Sequence, residues 1–171
     1  MSMFIKNQQG VGLLEVMVAL MLLAIAVLGY AAMQVRATNV SLEADNQTRA
    51  VEFARDLHER MRVNREGMRR FQTTGTYTGG TPSTNCRTTN CTPENLAIFD
   101  FDQVQRNAEN FAMSIAIHRC PNATAQRHCI YVAWGDTTPT IGNGATDCTD
   151  DNNVYRTNAQ CTFMESFSYA K

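Results

Sequence analysis

Hydrophobic positions fall into three regimes along this chain. From Val11 to Val35 the chain is almost continuously apolar, with Glu15 and Tyr30 as the only ionisable groups. Within it, Val16 to Met33 carries no charge. With its flanks this run reaches the roughly 20 residues that a helix needs to span a bilayer. From Arg36 the pattern becomes amphipathic. Ala50, Phe53, Ala54, Leu57 and Met61 recur at three- and four-residue spacing, and Glu52, Arg55, Glu59 and Arg62 fill the other face. No proline interrupts residues 11–66. The pattern therefore predicts one long helix, about 80 Å if all of 13–66 is helical. Residues 11–35 form its membrane half and 36–66 its amphipathic half. Gly29 is its weak point, because glycine costs up to about 1 kcal/mol relative to alanine in a helix.

The third regime, residues 67–171, is polar and mixed. Residues 67–92 are rich in Gly, Thr, Ser and Asn and read as a long loop. Thr92-Pro93-Glu94 is a helix start, with Thr as N-cap and Pro at the first helical position. Ala97, Phe101, Val104, Ala108 and Phe111 then mark one helical face. Three strands are predicted by alternation: Met113, Ile115 and Ile117; Ile130, Val132 and Trp134; and, more weakly, Phe163, Phe167 and Tyr169. A small antiparallel sheet laid on the second half of the long helix would bury all three. The expected fold class is α+β.

The N-terminus carries the sharpest chemistry. A secretory signal has its small-residue cleavage site after the apolar core. Here the leader Met1 to Gly10 is short and polar, Lys6 is its one charge, and Gly10 precedes the apolar run. Lys6 favours a cytoplasmic leader under the positive-inside bias. Glu15 is a carboxylate within an otherwise apolar helix, which costs a few kcal/mol near a bilayer centre and so requires a reason. One reason is position at the membrane edge, where the side chain can snorkel. The other is the spacing of Gly10, four residues and Glu15.

Gly10-Val11-Gly12-Leu13-Leu14-Glu15-Val16 resembles the cleavage region of the type IV prepilin family. The resemblance implies a pilin-like fold, cleavage by prepilin peptidase between Gly10 and Val11, and N-methylation of Val11, which stands where the family usually has Phe. It also implies that Glu15 meets the α-amine of Val11 on an adjacent subunit during assembly. An unpaired amine, with an ordinary pKa near 7.7–8.0, would be costly in apolar surroundings. Two further stretches, Glu15 to Gln34 and Ala54-Arg55-Asp56-Leu57-His58-Glu59-Arg60-Met61-Arg62-Val63-Asn64, are similar to the PilV family of minor pilins. Major pilins usually carry a helix-bending proline where this chain has Ala32. The implied role is an assembly-priming subunit of a type IV pilus, serving adhesion, twitching motility and DNA uptake. The implied partners are the membrane, prepilin peptidase, other minor pilins, the major pilin, the inner-membrane assembly platform and a tip adhesin. The implied location is the bacterial inner membrane, single-pass with the head in the periplasm, and then the pilus. The alternative is a minor pseudopilin of a type II secretion system, although those related chains are typically shorter and lack this cysteine-rich head.

Composition adds redox compartment and excludes some classes. The net charge of −1 offers no basic surplus for nucleic acid. All six cysteines lie after residue 85. An even number confined to the polar part of a membrane-anchored chain predicts disulfides in an oxidising compartment. Six cysteines allow fifteen pairings. Neighbour pairing is the simplest: Cys86–Cys91, Cys120–Cys129 and Cys148–Cys161. His118, Cys120, His128 and Cys129 could form a zinc set, but the compartment favours oxidation and no C-x-x-C is present. The segment Asp147 to Asn153 is rich in oxygen ligands but lacks the EF-hand order. No nucleophile signature such as G-x-S-x-G occurs. The expectation is a structural protein, not an enzyme, with no cofactor and no metal.

Overall fold

The computed structural model describes residues 11–72, 76–123 and 127–167. The elements in chain order are α1 (Val11–Val63), α2 (Arg69–Gln72), β1 (Thr76–Tyr77), α3 (Pro93–Glu109), β2 (Met113–Arg119), β3 (Arg127–Trp134), β4 (Thr138–Ile141), β5 (Asp147–Thr149) and β6 (Cys161–Phe167). Two compact units divide the chain, residues 1–44 and 45–171.

In the first unit α1 is solvent-facing all round, since every described side chain from Gly12 to Ala44 is exposed. In the second unit the last part of α1 packs on a sheet. Ala50, Ala54, Leu57 and Met61 are at most 3% exposed and form one stripe of the helix. The sheet order is β1-β2-β3-β6, all antiparallel. β2 and β3 pair with Met113 opposite Trp134 and Ile117 opposite Ile130. This register puts Met113, Ile115, Ile117, Ile130, Val132 and Trp134 in one core with the α1 stripe. α3 closes that core with Ala97, Phe101, Val104 and Ala108. Its start is held as the sequence implies: the Thr92 hydroxyl accepts from the Asn95 amide at 3.3 Å, and Pro93 occupies the first turn.

The opposite face of the sheet has its own smaller core. Cys129, Tyr131 and Ala133 of β3 join Cys120, Cys148 and Cys161, with Phe163 and Ile141 packed against them. β3 is therefore buried on both faces from His128 to Trp134. The disulfides are Cys86–Cys91, Cys120–Cys129 and Cys148–Cys161, with Cα separations of 5.5, 5.0 and 5.9 Å. Two of them belong to this second core, and the third lies outside both cores.

Several sequence expectations need correction. α1 ends at Val63 rather than running to residue 66. Beyond it Gly67 passes close to the start of α3, where a Cβ would lie 2.4 Å from the Pro93 carbonyl oxygen. The segment 67–92 contains α2 and β1 rather than loop alone. Phe111 follows the end of α3 and is 45% exposed, lying against Phe53 and under the Arg49 guanidinium. β6 was expected to turn Phe163 toward the long helix. Instead Phe163 pairs with Tyr131 and stacks on it in the second core, while Met164, opposite Ile130, reaches the main core. Tyr169 lies outside the described residues. β4 and β5 form a two-stranded parallel sheet for which no strand was expected.

Candidate assembly surface

Helix α1 is long and apolar enough over Gly12–Val63 to cross a membrane. Its first turns carry an apolar surface that the described residues leave exposed. Leu13, Leu14, Val16, Met17, Leu20, Met21 and Leu28 are each 59–71% exposed, and the pattern continues to Val40 and Leu42. Glu15 is exposed near its start and is the only charged side chain of α1 before Arg36. It lies four residues after Val11, so the two positions share a face about 6 Å apart along the axis. The backbone of Val11 opens α1. Gly10 and the leader lie outside the described residues.

At the other end of α1 the Glu59-Arg60-Met61-Arg62-Val63-Asn64 stretch does physical work that its use as a family marker did not reveal. Arg60 bonds Asp56 at 2.8 Å on its own helix, and Asp100 at 2.9 Å and Gln103 at 3.3 Å on α3. The Asp56 and Asp100 carboxylates raise the pKa of Arg60 against the opposing effect of burial. Asn64 donates to the Pro93 carbonyl at 2.7 Å and accepts from the Gly67 amide at 3.1 Å. Together these bonds tie the end of α1 to the start of α3. The clue available in sequence was the position of Arg60 and Asn64 beside the end of the apolar stripe at Met61.

The candidate metal residues are not brought together. Cys120 and Cys129 are bonded to each other. His118 is opposite Cys129 and His128 is opposite Arg119, adjacent register positions whose side chains point to opposite faces. His118 is buried, with its Nε2 2.6 Å from the Pro139 carbonyl and its Nδ1 3.0 Å from the Thr76 hydroxyl. The carbonyl can only accept, so Nε2 carries the hydrogen and Nδ1 accepts from Thr76. Burial lowers the pKa of His118, with the Pro139 bond opposing. Burial, and then the charge of Arg119, lower that of His128.

In the Asp147 to Asn153 segment the carboxylates serve the backbone. Asp147 accepts from the Thr140 hydroxyl at 2.5 Å and the Gly144 amide at 2.7 Å. Asp150 accepts from the Asn152 and Val154 amides at 2.8 and 3.0 Å. These bonds lower both pKa values. Among the described residues no group of three or more His, Cys, Asp or Glu is placed to hold a metal.

An exposed apolar helix with one acidic residue near its start is followed by a disulfide-bonded unit, an arrangement compatible with a filament subunit. Comparison with known families agrees. A family model described as "Type IV pilin Tt1218" matches residues 32–102, and one described as "Prokaryotic N-terminal methylation motif" matches residues 5–31. The two adjoining matches support a type IV pilin family for this chain, a family of structural subunits. The methylation motif implies processing by prepilin peptidase and assembly with other pilins, and with the apolar helix it points to membrane anchoring. No curated protein and no solved structure matches the chain.

Proposed function

We propose that this chain is a minor pilin of the PilV kind, a priming and structural subunit of a type IV pilus. The observation that carries the reading is the bare apolar surface of α1 around Glu15, with the methylation motif across residues 5–31. Before assembly, residues 11–35 cross the inner membrane once, with the leader on the cytoplasmic side and residues 67–171 in the periplasm. Prepilin peptidase cuts between Gly10 and Val11, and Val11 is methylated. On extraction from the bilayer, the apolar helix exchanges lipid for the helices of other minor pilins and the major pilin. Glu15 pairs with the new α-amine of an adjacent subunit and sets axial register. The assembly platform and a tip adhesin are further partners. The disulfide-bonded head favours this role over that of a minor pseudopilin.

Mass spectrometry of the chain recovered from sheared pili tests the proposal. The expected mature chain begins at Val11 and carries one added methyl group. A chain in pili that still begins at Met1 would overturn it. Recovery with a secretion apparatus and absence from pili would select the pseudopilin alternative.

A further inference from the structure

The Cys86–Cys91 disulfide poses a physical question. Cys120–Cys129 and Cys148–Cys161 are buried in the second core, whereas Cys86 and Cys91 are half-buried and belong to neither core. Their bond closes a loop with a sequence separation of only 5. That loop is already ordered locally. Asn85 accepts from the Arg87 amide through its side chain at 3.1 Å, and through its backbone carbonyl from the Thr88 and Thr89 amides, both at 3.1 Å. A loop fixed this firmly, yet contributing nothing to a core, has its surface shape as the remaining product.

The surface it shapes is a groove of about 510 Å³ between residues 81–87 and the flank of α3. That volume falls within the range of small-ligand sites. The chain is brought across α3 by Gly79 and Gly80. Gly79 lies beside the Phe101 ring and has φ +130°, a conformation that favours glycine. Pro82 and the half-buried Phe99 supply the apolar part of the lining. Around them stand groups with hydrogen-bonding capacity to spare. The side chains of Thr81, Ser83, Arg87 and Asn107 line the groove, are exposed, and have no partner within the described chain. Gln103 uses its oxygen on Arg60, which leaves its two N–H donors. The Arg106 Nε is held against Asp102 at 2.9 Å, which leaves the other guanidinium donors and the second carboxylate oxygen available.

We propose that this groove binds a saccharide. Sugar hydroxyls donate and accept at once and so require a mixed set of hydroxyl, amide and guanidinium partners, with an aromatic ring against the C–H face. This lining has that mixture. It lacks the track of unpaired cations that a nucleic acid strand requires, since Asp102 offsets Arg106 and Arg87 is the one unpaired arginine in it. It also lacks the deep apolar pockets that anchor a hydrophobic peptide. The Cys86–Cys91 bond pre-orders one wall, which removes an ordering cost at the moment of binding. The site is independent of which pilus subunit this chain is.

The test uses the full-length oxidised protein in a zwitterionic, sugar-free detergent. The probes are immobilised tetrasaccharides of glucose, galactose, mannose, N-acetylglucosamine and galacturonic acid. At least one should bind saturably. Asn107→Ala and Phe99→Leu should each weaken it about tenfold, the effect of one lost hydrogen bond or ring contact. The double variant Cys86→Ser/Cys91→Ser should weaken it as much while leaving the other two disulfides formed. Thermal melts of Asn107→Ala and Phe99→Leu close to wild type would establish that the loss is local, while Cys86→Ser/Cys91→Ser should melt lower by what one short loop accounts for and still be folded at the assay temperature. No binding to any of the five, or binding unchanged by Asn107→Ala and Phe99→Leu, would overturn the proposal.

Discussion

Leu22 and Leu57 lie on the same helix, α1, yet Leu22 is 63% exposed and Leu57 is 1% exposed. The contrast holds for their surroundings. Residues 12–42 present Leu, Val, Met and Ile on every side, whereas the stripe from Ala50 to Met61 is closed by β2, β3 and α3. Full burial of a Leu or Met side chain stabilises by about 1.5–3 kcal/mol. In the 45–171 unit that stabilisation is realised within the chain. For residues 12–42 it is not realised among the described residues. The lesson is that one continuous helix serves two different environments, and the switch is written in periodicity: apolar all round until Val35, then apolar on one side.

The largest expected effect concerns the exposed part. On the proposed pairing, Glu15→Ala leaves a neighbour's amine unpaired in an apolar filament core. Losing one member of a buried ion pair costs about 3–5 kcal/mol, a hundredfold or more in occupancy. Glu15→Ala is therefore expected to be inserted, cleaved and oxidised normally but depleted from sheared pili relative to the membrane fraction. Glu15→Asp, one methylene shorter, should be intermediate. Incorporation equal to wild type would dissolve the distinction between a lipid-facing helix and a partner-facing one.

The 45–171 unit, by contrast, should respond to its own internal ties. Replacing Cys148 and Cys161 with Ala removes a bond in the second core. Loss of such a native disulfide typically costs about 2–5 kcal/mol, and the Cys86–Cys91 loop only about 2 kcal/mol by chain entropy. Thermal melts of the two double variants should rank accordingly. An equal or larger drop for the Cys86 and Cys91 pair would mean that the exposed loop supports the fold after all.

What could be read from the sequence follows from the same contrast. Repeating apolar spacing made α1 and α3 legible, and alternation made β2 and the core side of β3 legible. β3 was only half read, because Tyr131 and Ala133 are buried too, and a strand covered on both faces has no polar phase. β6 was placed on the wrong face because its aromatic Phe163 outweighed Met164 in the pattern. β4 and β5 have no apolar alternation. Thr138-Pro139-Thr140-Ile141 and Asp147-Cys148-Thr149 are held by hydrogen bonds such as Thr140 to Asp147 and by a disulfide. The methylation motif across residues 5–31 was legible because its spacing is local. The groove was not, since residues 81–87 meet α3 only through the tertiary fold.

A smaller effect is expected where α1 meets α3. Arg60→Ala removes bonds to Asp56, Asp100 and Gln103 in one step. Charge-assisted hydrogen bonds contribute about 1.5–3 kcal/mol, and Arg60 is partly exposed, so the loss should lie near the lower end. Arg60→Lys keeps the charge but not the planar fork and should recover only part of it. Denaturant melts read both. A full recovery by lysine would show that charge alone, rather than the shape of the latch, joins the two helices.

The smallest expected effect is on pH, and it belongs wholly to the 45–171 unit. Burial lowers the pKa of His118 and His128 below the ordinary value of 6.5. The folded state thus favours the neutral imidazoles, and the unfolded chain takes up protons first as pH falls. The stability these two residues contribute is complete above pH 6.5 and declines as pH falls from there through their folded values. His118 has a defined reason to stay neutral, since its Nδ1 accepts from Thr76 while its Nε2 donates to Pro139. A protonated ring could keep the Pro139 bond but would have to turn the Thr76 hydroxyl around. Asp147 and Asp150 act lower. Their folded pKa values are depressed, so their contribution is complete above about pH 3.9 and lost below it. The two windows are separable. Between pH 7 and pH 5 the wild-type melting temperature should fall, and His118→Gln/His128→Gln should flatten that slope while leaving the separate decline below pH 4 in place. An unchanged slope between pH 7 and pH 5 would show that the buried histidines are already released from the sheet in the working protein.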